Sequence, residues 1–232
     1  SAGGDMPSAL WHCAAAHDAA TFLQLLRRDH AALAIDRETD GLCALVAADD
    51  SLAARQRFDL HLAQAALWRA RNEPQAESRE YDQALRIATT QDEPLMLGIV
   101  YGALGKFHEP RDADRAFACY EESADFLRRA GPVDSKAGGS EVTTEYTTTL
   151  VRLAWLHVLR NDPQSRTVLD SAQKLRSQHD VQPDVAAMLE QAWGEYWRRA
   201  GDLRRSLEPK HRALNLYERI GDQRSVLATY NN

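Results

Sequence analysis

The chain has 232 residues but only three cysteines, 7% aromatic residues and no long apolar run. The cysteines, Cys13, Cys43 and Cys119, are far apart and form no CxxC pair, so neither a zinc site nor a disulfide framework is expected. Unpaired thiols fit a reducing compartment, and we therefore expect a cytoplasmic protein. No segment approaches the roughly 18 consecutive apolar residues that a membrane-spanning helix needs, so no membrane partner is expected.

An excess of basic residues is also missing. The chain has 28 Lys and Arg against 34 Asp and Glu, which makes the formal net charge -6. Arginine pairs such as Arg128-Arg129 have acidic neighbours such as Asp125, a pattern typical of solvated helix faces with mixed charge. Nucleic-acid binding normally requires an uninterrupted positive stripe, so this segment is not expected to bind nucleic acid.

Catalytic and cofactor motifs are absent from the sequence. No Gly-rich loop ends in Lys-Ser or Lys-Thr, and the eight histidines form no His-Glu-x-x-His motif. Cys119 lies in an apolar helical context without a neighbouring base, although the fold can bring a base from elsewhere. The consecutive acids Glu121 and Glu122 point in different directions from a helix and do not form a facing carboxylate pair. We therefore predict a non-enzymatic protein with no metal and no cofactor.

What the sequence does contain is a repeated helix-turn-helix pattern. Hydrophobic residues make up 44% of the chain and charged residues 27%, which is enough apolar material for a sizeable core. Asn or Gly ends a helix in the left-handed conformation, and Asp or Pro begins the next one. Such turns occur at 72–74, 109–112, 161–163, 201–202 and 221–222. They predict hairpins at 55–91, 94–131, 141–180 and 183–220, a truncated helix at 222–232, and about eleven helices in all.

Small residues recur at a fixed position before the first four turns. They are Ala65, Gly105, Ala154 and Gly194, separated by 40, 49 and 40 residues. The longer middle interval contains a flexible connector at 131–140, which includes Gly139. Three residues after each small residue stands a large ring, at Trp68, His108, His157 and Trp197. The matching small column in the second helices is Ala84, Ala124, Gln173 and Ala213, with Ala172 as the alternative to Gln173. Two facing small columns predict closely packed antiparallel helices.

This pattern resembles the tetratricopeptide repeat (TPR) family over roughly residues 55–232. The best match is Trp193-Gly194-Glu195-Tyr196-Trp197, followed by Gly201-Asp202 and Ala213-Leu214. The resemblance implies an all-α fold, an α-solenoid of stacked antiparallel helix hairpins. The period of 40 exceeds the family's basic unit of about 34 residues. With the junction at 217–222, it resembles repeats in bacterial STAND-class regulators, large signalling NTPases in which such repeats form the sensor arm.

The first 54 residues follow the pattern less regularly. Residues 10–16 imitate a first helix, and leucines at 23–26 and 42–45 fit two further amphipathic helices. We interpret residues 6–54 as a helical N-terminal cap or a degenerate repeat, the kind of segment that joins the NTPase module to the repeats in STAND-like proteins. The chain ends at Asn231-Asn232 within a helical pattern, which predicts a piece of a longer protein.

The resemblance implies protein or peptide binding, because the first helices of such hairpins line a concave groove. By the resemblance, the groove residues are Arg69, Lys106, Arg152, Trp155, Gln191, Glu195, Arg198 and Arg199. Leu62 and Ala66 stand where chaperone-binding members have Lys and Asn, which disfavours a chaperone adaptor. Two alternatives stay open, the interaction arm of a STAND-like regulator and a free-standing TPR adaptor or peptide receptor. An enzyme with a site on a helical solenoid is a remote third.

Trp155 has two possible roles. It follows the small column at Ala154 by one residue, so it points about 100° away from that column. Either it packs within the core of the repeats, or it is an aromatic anchor beside arginines, a composition typical of binding hot spots.

Overall fold

The computed structural model describes residues 6–131, 140–179 and 181–230, and the regular structure in these ranges is entirely α-helical. Most of the connector, including Gly139, lies outside the described residues. Twelve helices are described where the sequence predicted about eleven, and the all-α class is confirmed. They are α1 Met6–Ala15, α2 Ala19–Leu33, α3 Glu38–Ala47, α4 Ala54–Ala70, α5 Pro74–Gln91, α6 Pro94–His108, α7 Ala113–Ala130, α8 Ser140–Leu159, α9 Ser165–Gln178, α10 Pro183–Arg199, α11 Leu203–Ile220 and α12 Gln223–Tyr230.

The predicted turns separate the helices through local capping. Asn72, Asn161, Gly201 and Gly221 all have positive φ, between 53° and 82°, as left-handed helix ends require. Asp202 then caps α11 by accepting a hydrogen bond from the amide of Arg205. One turn differs from the prediction, because α9 begins at Ser165 and not at the expected Pro163.

The small columns lie where paired helices meet. Ala65, Ala84, Ala154 and Ala213 are completely buried. A Cβ atom on Gly194 would come within 2.6 Å of Lys210 Cγ and 3.3 Å of the Ser206 carbonyl oxygen, so α10 and α11 approach closely there. In the third hairpin Ala172 is completely buried, whereas Gln173 is half-buried. Ala172 therefore takes the column position that the sequence left open between these two residues.

Replacing Ala172 with leucine is expected to lower the free energy of unfolding by about 1–3 kcal/mol, because the added atoms must enter a filled core. The matched change of Gln173 to leucine is expected to cost less, since that side chain already reaches towards solvent. Urea denaturation of the two variants measures the difference. A larger loss at Gln173 would mean that the two positions have been assigned to the wrong faces of α9.

The chain divides into two compact units, Ser1–Ala103 and Leu104–Asn232. In the first unit, α1, α2 and α3 share one apolar core with Leu60, Ala63 and Leu67 of α4. The predicted cap at 6–54 therefore packs directly on the first hairpin, and the boundary at residue 54 stays a prediction. In the second unit the core contains Tyr120, and side chains of α8, α9 and α10 surround it.

The cysteines and histidines that carried the catalytic and metal alternatives have structural surroundings. Cys43 is buried, while Cys13 and Cys119 are half-buried. His157 is buried against Phe117, with ring centres 4.8 Å apart. In the described ranges, no group of three or more His, Cys, Asp or Glu side chains is arranged to hold a metal ion. None of the described helices is long and apolar enough to cross a membrane.

Candidate functional site

Arg69 is the one predicted groove residue in the first unit. Its Nε donates a hydrogen bond of 2.7 Å to Glu77 Oε1, and its guanidinium also donates to the hydroxyl of Tyr81. Glu77 and Tyr81 belong to α5 and are both buried. Arg69 therefore joins the two helices of its own hairpin, because its charge neutralises a buried carboxylate.

Arg152 is also bonded to a glutamate that accepts from a tyrosine, in the second unit. Its Nη1 donates a hydrogen bond of 2.8 Å to Glu109 Oε1, and the hydroxyl of Tyr120 donates to the same oxygen. The Arg152 side chain is only 14% exposed. Burial, with Glu109 nearby, raises the pKa of Tyr120, so its hydroxyl remains a donor. This network links α7 and α8 to the end of α6.

Three other predicted groove residues lie on one face of α10. Gln191, Glu195 and Arg198 are spaced at i, i+4 and i+7, which aligns their side chains along the helix. Gln191 accepts a hydrogen bond of 3.0 Å from the hydroxyl of Tyr217. Arg198 donates to both oxygens of Glu195, at 2.7 and 2.6 Å, and this pairing lowers the pKa of Glu195.

The neighbouring Arg199 also donates to Glu195, from its Nε at 2.6 Å, and it has further partners outside α10. Its Nη1 donates to the carbonyl of Leu159 at 3.1 Å and to Asn161 Oδ1 at 3.2 Å. Arg199 therefore ties the end of α10 to the turn after α8. Arg198 is on the more open side, with 41% of its side chain exposed. Of the two, Arg198 is the better candidate for contact with a partner.

Trp155 and Lys106 complete the predicted set. Trp155 is half-buried and packs against the apolar core of the second unit. The contacts of Trp155 therefore support its role in the core. Part of the ring is exposed, so its role in binding stays a prediction. Lys106 is exposed near the end of α6.

A column of arginines is a further regular feature that was not predicted from the sequence. Six residues after each of the first three small-column residues stands an arginine, at Arg71, Arg111 and Arg160. Arg71 donates to the carbonyls of Ala34 and Asp36, and Arg160 donates to the carbonyl of Ala113. Arg71 thus bonds to the backbone between α2 and α3, and Arg160 bonds to the first residue of α7. In both cases the acceptor lies in a part of the chain that comes before the arginine's own hairpin. The fixed spacing was the signal available in the sequence.

Exposed arginines also cover the tryptophans of α10. The guanidinium of Arg166 lies 4.8 Å from the ring centre of Trp193 and 5.4 Å from that of Trp197. Arg205 lies 5.0 Å from the centre of the Trp197 ring. Such cation–π contacts stabilise the packing of α9 and α11 on α10.

Comparison with known proteins supports the fold. No protein-family model matches the chain, and no curated protein matches it. The crystal structure of BtubC (BKLC) from P. vanneervenii is similar, with a TM-score of 0.68 over 95% of this chain and 93% of that chain. The two sequences are 13% identical, so the likeness shows the fold alone. The chain therefore has an all-α, solenoid-like fold of antiparallel helix hairpins.

Proposed function

We propose that this chain is a non-catalytic module that binds a protein or peptide. We further propose that it is the sensor or interaction arm of a larger cytoplasmic STAND-like regulator. The period of 40 residues and the TPR-like motif at 193–197 support this assignment by resemblance. A P-loop encoded upstream of this segment is the expected finding in the full-length gene. A nearby initiator without a P-loop would instead favour the free-standing adaptor or peptide receptor.

The charge of the predicted groove residues carries the binding proposal. The second unit contributes four cationic side chains, Lys106, Arg152, Arg198 and Arg199, although the whole chain has a net charge of -6. Glu109 pairs with Arg152, and Glu195 pairs with both Arg198 and Arg199. Because two arginines share the one Glu195 carboxylate, their positive charge favours an acidic partner segment, since complementary charge speeds encounter and disfavours basic partners.

Arg198 and Trp155 are the residues through which such a segment would bind. Arg198 stands at the solvent side of α10, and a partner carboxylate can replace part of its hydration with a charge-assisted hydrogen bond. Trp155 is on α8, which packs beside α10, and the half-buried ring offers apolar contact to a partner. A partially desolvated aromatic side chain beside an arginine is the composition that dominates binding energy at many interfaces.

Arg198→Ala is expected to weaken binding of an acidic peptide about tenfold, which corresponds to the loss of roughly 1.4 kcal/mol. An array of acidic amphipathic peptides identifies the ligand, and fluorescence anisotropy measures its affinity. The matched control is Arg128→Ala on α7, because Arg128 also pairs with an acid three residues earlier, Asp125. Equal losses for both variants would show that binding depends only on total charge and would contradict the assigned face.

Trp155→Ala separates the two roles of that residue. If the ring contacts the partner, the variant binds the peptide more weakly even at a temperature at which it is fully folded. If the peptide binds the folded variant with unchanged affinity while stability drops, Trp155 is a core residue and the groove does not include it.

A further inference from the structure

A cavity in the first unit lies where α1, α2 and α3 meet, and none of the proposed groove residues lines it. Its volume is about 260 Å³. Its apolar lining consists of Ala14, Ala15, Ala19, Leu45 and Val46. A single six-membered ring fits such a space, since apolar protein cavities of about 150 Å³ bind benzene.

One side of the cavity is polar and carries a fixed negative charge. His17 and Asp49 both line it, and the imidazole Nδ1 is 2.9 Å from Asp49 Oδ2. The other oxygen of Asp49 accepts hydrogen bonds from the amide and the hydroxyl of Ser51, at 2.9 and 2.6 Å. These bonds from Ser51 and His17 lower the pKa of Asp49 to about 2. Asp49 is therefore ionised at neutral pH and held in one orientation.

Helix ends add to the negative potential. The α1 residues that line the cavity belong to the last turn of that helix, and those of α3 are also close to its end. Helix C-termini carry a partial negative charge, so two such ends favour a cation. The N-terminus of α2 contributes Ala19 and has the opposite sign, but the Asp18 carboxylate caps it by accepting from the amide of Thr21.

We propose that this cavity binds an organic ammonium ion, with its apolar body among the alanine, leucine and valine side chains and its ammonium group on the Asp49 carboxylate. A carboxylate has about four lone-pair positions, and His17 and Ser51 leave capacity for a further donor. No lysine or arginine is among the residues that line the cavity, so no side-chain ammonium or guanidinium competes there with the ligand. This site is independent of the proposed groove, and either can fail without the other.

Cys13 also lines the cavity. Its thiol is poorly suited to act as a nucleophile, but it can report whether the cavity is occupied. Burial and the nearby Asp18 carboxylate raise the pKa of the Cys13 thiol, which disfavours the reactive thiolate. The thiol is nevertheless half-buried rather than sealed. A bound ligand should cover it and slow its alkylation.

The test measures alkylation of the folded chain by N-ethylmaleimide at pH 7.5, with each cysteine followed by peptide mapping. Cyclohexylammonium at ten times its dissociation constant is expected to slow the labelling of Cys13 about tenfold, because only unoccupied protein reacts. Cys119, in the second unit, serves as an internal control and should keep its rate. Unchanged labelling of Cys13 at every soluble concentration would overturn the proposal.

Two comparisons test the charge. Cyclohexanol has the same ring without the charge and should protect Cys13 much less; equal protection would show an apolar cavity without ammonium selectivity and overturn the proposal. Asp49→Asn should abolish protection by cyclohexylammonium, whereas Asp50→Asn changes the same charge outside the cavity lining and should retain it. Protection that survives in Asp49→Asn would also overturn it, and the cyclohexanol comparison decides the matter if that variant does not fold.

A further ligand distinguishes the source of the ammonium group. If Nα-acetyl-lysine N-methylamide, which keeps its side-chain ammonium group, protects Cys13 as well as cyclohexylammonium does, the natural ligand is a lysine side chain of a protein. If it fails while cyclohexylammonium protects, the natural ligand is a small free amine.

Discussion

Replacing Gly105 with alanine is expected to destabilise the protein by about 1–3 kcal/mol, even though alanine is the better helix former. A Cβ atom at this position of α6 would lie 2.5 to 2.7 Å from three ring atoms of Tyr120. Tyr120 is completely buried and its hydroxyl is bonded to Glu109, so the ring cannot move aside. The overlap must therefore be relieved by separating α6 from α7, which opens the core.

The matched control is Gly41→Ala in α3. Apart from its chain neighbours and the backbone of its own helix, no heavy atom in the described part of the chain lies within 4 Å of a Cβ placed there, and Gly41 is exposed. This variant is expected to gain up to about 1 kcal/mol from helix propensity alone. Urea denaturation followed by circular dichroism measures both changes. Similar shifts in the two variants would mean that the close approach of Tyr120 to Gly105 is not present in solution.

Replacing Arg71 with alanine is expected to cost about 2–4 kcal/mol, the second large effect. Arg71 donates to the carbonyls of Ala34 and Asp36 and forms a two-bond ion pair with Asp40, at 2.7 and 2.9 Å. Its side chain is only 13% exposed. Removing it leaves the two carbonyls without this donor and a cavity beside the Trp68 ring, over which the guanidinium lies.

Arg71→Lys is expected to recover only part of this loss, because a lysine cannot present the planar fork of donors that reaches several acceptors at once. The control Arg37→Ala removes an exposed arginine from the same unit and should change the free energy of unfolding by less than about 0.5 kcal/mol. Thermal and urea unfolding of the three variants give the comparison. Equal losses at Arg71 and Arg37 would contradict the structural role of this arginine column.

The sequence predicted correctly those features that depend on residues within one or two helical turns of each other. The left-handed turn residue Asn161 and the cap at Asp202 were predicted because such residues act on backbone groups only a few positions away. It was less accurate at Pro163, since α9 begins two residues later than expected. It also left Ala172 and Gln173 open, because both are within one residue of the expected column and only packing distinguishes them.

The candidate groove was harder to predict than the fold. The resemblance to the TPR family put Gln191, Glu195 and Arg198 in the groove set, and the structure has them on one face of α10. The resemblance did not reveal that Arg199 is tied to the preceding turn, or that Trp155 shares the apolar core of the second unit. A periodic pattern predicts the direction in which a side chain points, but it does not predict which group of another helix that side chain meets.

By itself the sequence determined the helical class, the turns and the small columns, because these depend on backbone preferences and on the 3.6-residue period of the helix. Only the tertiary structure decided which polar groups are already paired, and where a cavity opens among α1, α2 and α3. Arg152 meets Glu109 across 43 residues of chain, and His17 meets Asp49 across 32. Such pairs form when separate helices pack together, and the geometry of that packing depends on side-chain volumes throughout the core rather than on any local motif.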